Sequence, residues 1–441
     1  MISPIVVKKK ITPFNKTITV NGDKSLSIRW ALVASQAIGK SRAYNLLRSS
    51  DVMSTLDCLK KLGIKIKLND RFCEIEGKGL NQFKTKRNIT LNAGNSGTLG
   101  RLILGLLINS DKPVKLVGDE SLSKRDFKRI SNPLSKFGAN FKLKNKKNLP
   151  LIINGSKNLK PIKYIERRGS AQCKSAVILG AIRTKGTTII KAKKSRNHTE
   201  LLCKYLKLPL YVRSKNSYDL IKIKQIKKIK SFNYNIPSDI SSSAFFIALT
   251  ALCRDSKLTI KNVNINPSRI GIIKILVRMG VKIKFKNKRN YKGEQNADIQ
   301  VQSPKKLKPI NCPAKLTSEA IDEFLVIFLV AAKADGISYF KNLAELNQKE
   351  SPRLIWGEKI LNKMGIKTIS TKNSIKIFGN PNLEINKKIE IKNYLKDHRV
   401  FMTSVIASLS FGGKWYIYDK DSVKTSFPSF LKILDNLIDE N

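Results

Sequence analysis

Several polar stretches of this 441-residue chain carry residue types suited to work on small anions. The first, "VNGDKSLSIR" from Val20 to Arg29, joins a strand-like run, "KTITV", to a helix-like run, "RWALVASQAIG". Asn-Gly-Asp is turn chemistry, and Asp23 or Ser25 can cap the helix. The same residues also suit an anion cradle, because N–H groups at a helix start, joined by Lys24 and Arg29, attract phosphate or carboxylate. On this stretch alone both readings stand. Five further loops repeat the theme. "NAGNSGTLGR" holds Asn95, Ser96, Gly97, Thr98 and Arg101, and "RRGSAQCKSA" holds Ser170, Gln172, Lys174 and Ser175. "PSDISSSA", "LTSEAIDE" and "LKDHR" follow. One such loop is a helix cap; six in equivalent positions predict an anion-attracting centre, because exposed N–H groups and helix dipoles add. Onto it the chain projects Lys24, Arg29, Arg101, Arg125, Lys174, Arg196, Lys349, Arg353 and Arg399, accompanied by two acids, Asp322 and Glu350. An acid among cations can give or take a proton beside a reacting group.

The elements that must position these residues recur six times, at a spacing of roughly 70–80 residues. That period is longer than the roughly 20–50 residues of solenoid repeats. Each copy reads as strand, buried helix, strand, outer helix, then one or two strands, as in "DSKLTIKNVNINPSRIGIIKILVRMGVKIKF". Outer helices show a 3.6-residue period, with Leu56, Leu59 and Leu62 in one and Ile272, Ile275 and Met279 in another. They stop at "LG", "FG" or "MG", where a left-handed residue is wanted. The helices that follow the polar loops, such as "SSAFFIALTALC" and "EFLVIFLVAAKA", are apolar on all sides and should be buried. Six such units predict two globular halves of three units each, in the α/β class.

Composition narrows the rest. Hydrophobic residues make up 41% of the chain, enough for sizeable cores. The N-terminus "MISPIVVKKKITPF" has no apolar core of a signal peptide, and the longest apolar runs fall far short of the roughly 20 residues that span a membrane. Six scattered cysteines form no C-x-x-C pair, which speaks against zinc and fits reduced thiols in a cytoplasm. Two histidines, His198 and His398, exclude a histidine-rich metal centre. The net charge of +53 suggests either an anionic partner or biased lysine usage. Lysines are spread over the whole length rather than gathered in a patch or tail, which favours a solvated surface over a nucleic-acid face.

The series "NGDKSLSIR", "GNSGTLGRL", "GDESLSKR", "SAQCKSAVILGAI", "SRNHTE", "DISSSAFF", "NPSRIG", "IDE", "ELNQKESPR", "DHRVFMTS" and "TSFPSF" resembles the enolpyruvyl transferases, in the branch acting on shikimate 3-phosphate. The resemblance runs from about Lys16 to about Leu437. It implies a two-domain inverse α/β barrel of six βαβαββ repeats, three per domain. One domain would span 22–236 and the other 1–21 plus 237–441, with a hinge near 20–23 and 235–239. It implies transfer of the enolpyruvyl group of phosphoenolpyruvate to the 5-hydroxyl of shikimate 3-phosphate with release of phosphate, a step of the shikimate pathway towards chorismate and aromatic amino acids. No cofactor and no metal are implied.

Residue roles follow from the resemblance. Lys24 is expected to touch phosphoenolpyruvate and the reacting hydroxyl. Ser25 and Arg29 would hold the shikimate carboxylate. Asn95, Gly97 and Thr98 would form the loop under phosphoenolpyruvate, with Arg125 and Gln172 completing that pocket. Ser170, Ala171 through its backbone, Gln172 and Arg196 would clamp the 3-phosphate. Asp322 would contact the shikimate hydroxyls and serve as base for the 5-hydroxyl, with Lys349 reaching the same region. Glu350 would protonate the methylene carbon of phosphoenolpyruvate, and Arg353 and Arg399 would hold its carboxylate, a task suited to the guanidinium fork. The chain departs from the family pattern at Arg125-Asp126, at "ELNQKESPR" and at Asn197, and Lys424 stands one residue out of register, so its role stays open. Ser351-Pro352 reads as an N-cap followed by proline at the first helical position.

Two other functions compete with this reading. The sister transferase acting on UDP-N-acetylglucosamine carries a cysteine in a loop that is "VGDESLSKRDFKR" here and contains none. A polyanion-binding protein would suit the charge but would not need Lys24, Asp322, Glu350, Arg353 and Arg399 together. The expected partners are therefore small anionic substrates, with neither nucleic acid nor membrane; a cytoplasmic location is expected, and the family resemblance implies a monomer.

Overall fold

The computed structural model describes residues 3–438. They form two compact units. One is Gly22–Ile236 with Lys292–Glu294; the other is Met1–Asn21, Pro237–Tyr291 and Gln295–Asn441.

Each unit contains three small sheets among the described residues, and one strand order recurs. In the first unit Ile89–Asn92 pairs in parallel with Val114–Val117, which pairs antiparallel with Asn148–Asn154, which in turn takes Asn140–Lys144. Lys163–Glu166, Thr187–Lys193, Tyr218–Lys224 and Leu210–Lys215 repeat that order. The third sheet of this unit borrows its parallel partners from the end of the unit, where Ile229–Lys230 and Tyr234–Asn235 pair with Ala37–Tyr44. In the second unit the N-terminal segment supplies strands: Asn15–Ile18 lies parallel to Lys257–Asn264, and Ile5–Val7 antiparallel to Lys414–Ile417.

Six helices carry the apolar runs: α1 (Lys24–Ala34), α2 (Gly97–Leu107), α3 (Ala171–Ala181), α4 (Ile240–Leu252), α5 (Phe324–Ala332) and α6 (His398–Phe411). Every residue of α4 and of α5 is buried, as their all-round hydrophobicity demands. The outer helices are half-buried; Ser50–Lys61 turns Val52, Leu56 and Leu59 inward. Their glycine stops are left-handed, with φ of 84° at Gly63 and 97° at Gly280. Strands alternate buried apolar residues with outward lysines, as Tyr218–Lys224 does, so much of the charge lies on solvated faces. All six cysteines are free and buried. Burial pushes the thiols of Cys58, Cys73 and Cys203 up to about 12, so they stay protonated and act as packing groups.

One close approach fixes where two of the polar loops meet. A methyl group built on Gly105 of α2 would stand 2.2 Å from the Ala176 carbonyl oxygen of α3. Glycine alone lets these helices approach so closely, and that approach brings their first turns together. Gly105→Ala is therefore expected to destabilise the protein by about 1–3 kcal/mol, the usual cost of overpacking. It should also loosen the contacts between the first turns of α2 and α3. An unchanged melting temperature would show that the helices can part at no cost.

Candidate active site

In the unit 22–236, α1 starts at a cap. Asp23 accepts a hydrogen bond from the Leu26 N–H at 2.8 Å, so Asp23 is the N-cap and Ser25 lies inside the first turn, which resolves the two caps the sequence allowed. Lys24 is the first helical residue; its Nζ lies 2.9 Å from Asp51 Oδ2, and about a fifth of its side chain is exposed. One turn on, Arg29 is buried. Its Nε donates to Thr199 Oγ1 at 2.9 Å, and its two terminal nitrogens donate to the Ser25 carbonyl at 3.1 Å and Ser175 Oγ at 3.3 Å. Thr199 and Ser175 are themselves 2.7 Å apart, so they fix the guanidinium plane.

The first turns of α2 and α3 extend the cluster of this unit. Ser96 caps α2 by accepting from the Leu99 N–H. Thr98 Oγ1 accepts from Gln172 Nε2 at 3.0 Å, and Gln172 Oε1 accepts from Arg101 at 2.6 Å. Asn95 bridges Asp119 and Arg125, at 2.6 and 3.1 Å. A side chain at Gly97 would meet Nη1 of both Arg101 and Arg125, at 2.8 and 2.9 Å, so glycine leaves the two guanidinium groups room to converge. Ser170 caps α3 by accepting from the Cys173 N–H, and the Glu166 carboxylate takes the N–H groups of Arg168, Gly169 and Ser170. Ala171 is half-buried at the first position of α3, and Arg196 half-buried just before the helix His198–Tyr205.

Lys174 differs from expectation. It is fully buried, with its Nζ 2.6 Å from Glu200 Oε1, so it ties α3 to the helix His198–Tyr205 instead of joining the exposed cations.

In the other unit, Arg353 is the centre. It is 2% exposed, yet three carboxylates surround it. Its Nε and Nη2 donate to the two oxygens of Asp397 at 2.9 and 3.2 Å. Its Nη2 also donates to Glu350, and its Nη1 lies 3.5 Å from Asp322 Oδ1. Burial pushes this guanidinium down, but Asp397 and then Glu350 outweigh it and hold it well above its ordinary value. Burial likewise pushes Asp397 up, and Arg353 reverses that, so Asp397 is held below the usual carboxylate range. Lys349 Nζ lies 3.0 Å from Asp322 Oδ1. Arg399 donates to the Asp322 carbonyl at 2.6 Å, and its Nη1 lies 3.9 Å from Glu323 Oε1.

Asp397 was visible in the sequence only as part of a polar loop. It caps α6 by accepting from the Arg399 N–H, and it also accepts from the Ser351 N–H and Oγ. Ser351 is thereby drawn away from the cap position read from the sequence; the helix Arg353–Lys363 starts with Pro352 as its N-cap residue and no side-chain cap. α5 likewise starts later than its polar loop suggested, at Phe324. Lys424 lies exposed in a 3₁₀ turn, paired with Asp421 at 2.9 Å. Among the described residues no group of His, Cys, Asp and Glu could hold a metal ion, and no helix is long and apolar enough to cross a membrane.

The two clusters are therefore, in the unit 22–236, buried or half-buried cations at helix starts, with Arg29, Arg101 and Arg125 donating to neutral groups and Lys24 paired with Asp51, and, in the other unit, arginines anchored by carboxylates. A family model for EPSP synthase (3-phosphoshikimate 1-carboxyvinyltransferase) matches residues 8–434. The chain belongs to the EPSP synthase family. It is 40% identical to the 3-phosphoshikimate 1-carboxyvinyltransferase of Ruthia magnifica subsp. Calyptogena magnifica, over 98% of this chain and 97% of that one. To the enzyme of the same name from Endomicrobium trichonymphae it is 36% identical, over 97% and 98%. A solved EPSP synthase structure from Acinetobacter baumannii superposes with a TM-score of 0.85 at 32% identity, covering 98% of this chain and 97% of that chain. The enolpyruvyl transferase NikO from Streptomyces tendae shares the fold, with a TM-score of 0.77 at 14% identity.

EPSP synthase chemistry needs its cations held rigid yet open to anions, and Thr199, Glu200 and Asp397, which the sequence did not single out, share in that holding here. Thr199 and Ser175 orient Arg29, Lys174 and Glu200 brace the helix that carries Thr199, and Asp397 anchors Arg353 and the start of α6. Their partners lie far away in the sequence, Thr199 170 residues from Arg29 and Asp397 44 from Arg353. Polar residues in "SRNHTE" and "LKDHR" were the only signal available.

Proposed function

We propose that the two clusters act together on one substrate pair. The reaction is transfer of the enolpyruvyl group of phosphoenolpyruvate to the 5-hydroxyl of shikimate 3-phosphate, with release of phosphate. The observation that carries it is the family match along nearly the whole chain, residues 8–434. The finer architecture is read as two inverse α/β domains of three βαβαββ repeats, 22–236 and 1–21 plus 237–441, with the chain crossing at 20–23 and 235–239. The strand order shared by the four larger sheets supports it.

Ser25 and Arg29 hold the shikimate carboxylate, and Ser170, the Ala171 backbone, Gln172 and Arg196 hold its 3-phosphate. Asn95, Gly97, Thr98, Arg125, Gln172 and Lys24 receive phosphoenolpyruvate, whose carboxylate meets Arg353 and Arg399. The carboxylate anchors of Arg353 make chemical sense of this. Asp397 takes Nε and shares Nη2, fixing the fork, while the bonds to Glu350 and Asp322 are the ones an incoming carboxylate can replace. A carboxyl released from a guanidinium takes up a proton more readily. Glu350 then gives its proton to the methylene carbon of phosphoenolpyruvate, so that C2 becomes electron-poor. Asp322 removes the proton of the 5-hydroxyl as its oxygen bonds to C2, with Lys349 and Lys24 beside it. The adduct loses phosphate as Glu350 recovers a proton from the methyl carbon, restoring the double bond.

The same reading takes the enzyme as a cytoplasmic monomer with no cofactor, no metal and no nucleic-acid or membrane partner. Outward lysines distributed over its strands support a solvated surface.

The test is a coupled phosphate assay. Phosphate should be released from phosphoenolpyruvate only when shikimate 3-phosphate is present; release without it, or none with both, would refute the reading. Within that assay Lys24→Ala should raise the KM for phosphoenolpyruvate or abolish turnover. Its melting temperature should barely move, because the Lys24–Asp51 pair is partly solvated. An active variant that melts early would make Lys24 a structural residue.

A further inference from the structure

At the end of the unit 22–236 where α1, α2 and α3 finish, a cavity of about 460 Å³ is bordered by Lys78, Asn81, Gln82, Arg183, Gln225 and Lys227. Arg183 is 5% exposed, and the other five are exposed. One terminal nitrogen of Arg183 donates to the Leu106 carbonyl in the last turn of α2, and its Cζ lies 5.8 Å from the centre of the Phe83 ring. Its Nε is buried with no hydrogen-bond partner among the described residues. No carboxylate borders the cavity, and none pairs with Arg183 among the described residues. Arg353 leans on three carboxylates and Arg269 donates to Asp239 at 3.2 Å, whereas the buried Arg29 and Arg101, at the helix starts proposed to receive anions, donate to neutral groups as Arg183 does. Burying a cation without a counter-charge is costly, and one peptide carbonyl does not neutralise a guanidinium. Burial pushes Arg183 down to about 9, with no opposing charge to hold it up.

We propose that this cavity is a second anion site, binding a small oxyanion, phosphate or carboxylate, against Arg183 with Lys78 and Lys227 at its mouth. A bound oxyanion supplies the missing counter-charge to the guanidinium and meets two lysines and the side-chain amides of Gln82 and Gln225. The site shares no residue with those assigned to the substrates and does not rest on the transferase reading.

The test uses the full chain, with selenate as crystallographic probe and inorganic phosphate in solution. Crystals soaked in selenate should show an anomalous peak within hydrogen-bond distance of Arg183, and the peak should vanish in Arg183→Leu. Because Arg183 also caps α2, a second variant, Lys78→Ala with Lys227→Ala, keeps the core intact. Phosphorus NMR titration should show one phosphate-binding phase weakened about tenfold or more, the worth of a lost charge-assisted contact. Turnover of saturating substrates should stay at the parent value. Selenate peaks confined to the Arg29 and Arg125 regions would overturn the proposal. So would a peak at Arg183 with phosphate affinity unmoved in the double variant, which would mark an adventitious ion only. Either failure leaves the phosphate-release assay, and hence the transferase reading, untouched.

Discussion

Glu350→Gln is expected to bind both substrates with nearly the parent's affinity and to lose roughly 10²–10⁴-fold in kcat, the range for removing a general acid. The glutamine has the same shape, and its amide oxygen can still accept from Arg353, the partner of Glu350 in the structure. What it cannot do is carry a proton to carbon. In the proposed reaction the substrate carboxylate supplies the switch: by engaging Arg353 it would free Glu350 to become the acid. Steady-state kinetics with separate calorimetry of shikimate 3-phosphate binding tests this. Parent turnover in the variant would pass the proton-donor role to Lys24 or a bound water.

Asp397→Asn should have the largest effect on stability. Asp397 is wholly buried and accepts from Arg353, Ser351 and the Arg399 N–H. Removing its charge leaves Arg353 with Glu350 and Asp322 as its carboxylate partners, and breaking one side of a buried pair costs about 3–5 kcal/mol. Because its folded pKa is depressed, Asp397 contributes stability that is fully present above the ordinary aspartate value of about 3.9 and is lost as pH falls through the lower folded value. The melting difference between parent and variant should therefore be constant near neutrality and shrink only under acid conditions. The variant should also show a raised KM for phosphoenolpyruvate, since both arginines proposed for its carboxylate take their bearings from Asp397. A difference that shrank near neutral pH would point to another group, and an unchanged melting temperature would remove Asp397 from the hub.

Local chemistry made much of this legible. A turn, a cap and two cations in "VNGDKSLSIR" place Lys24 at a helix start and Arg29 one turn on, as the structure has them. All-round apolar runs announce α4 and α5, and glycine stops mark helix ends because those φ values suit glycine. What the sequence hides are choices between partners. Lys174 looked like one more cation at a helix start, but its neighbour across the fold is Glu200, and pairing takes it out of solvent. Ser351 looked like a cap, but Asp397 offers a charged acceptor and wins its hydroxyl. Such competition is decided by tertiary contacts that no spacing rule encodes.

In the proposed transfer one substrate pair meets a proton donor and a base in a single active site. Turnover in deuterated water, followed by NMR and mass spectrometry of the product, addresses it most directly. The product should be an enolpyruvyl ether at the 5-position carrying deuterium in its vinyl methylene group, with one phosphate released per ether formed. The Glu350→Gln enzyme should form both far more slowly. Phosphate released without ether, or ether formed with no deuterium in the methylene group, would contradict it.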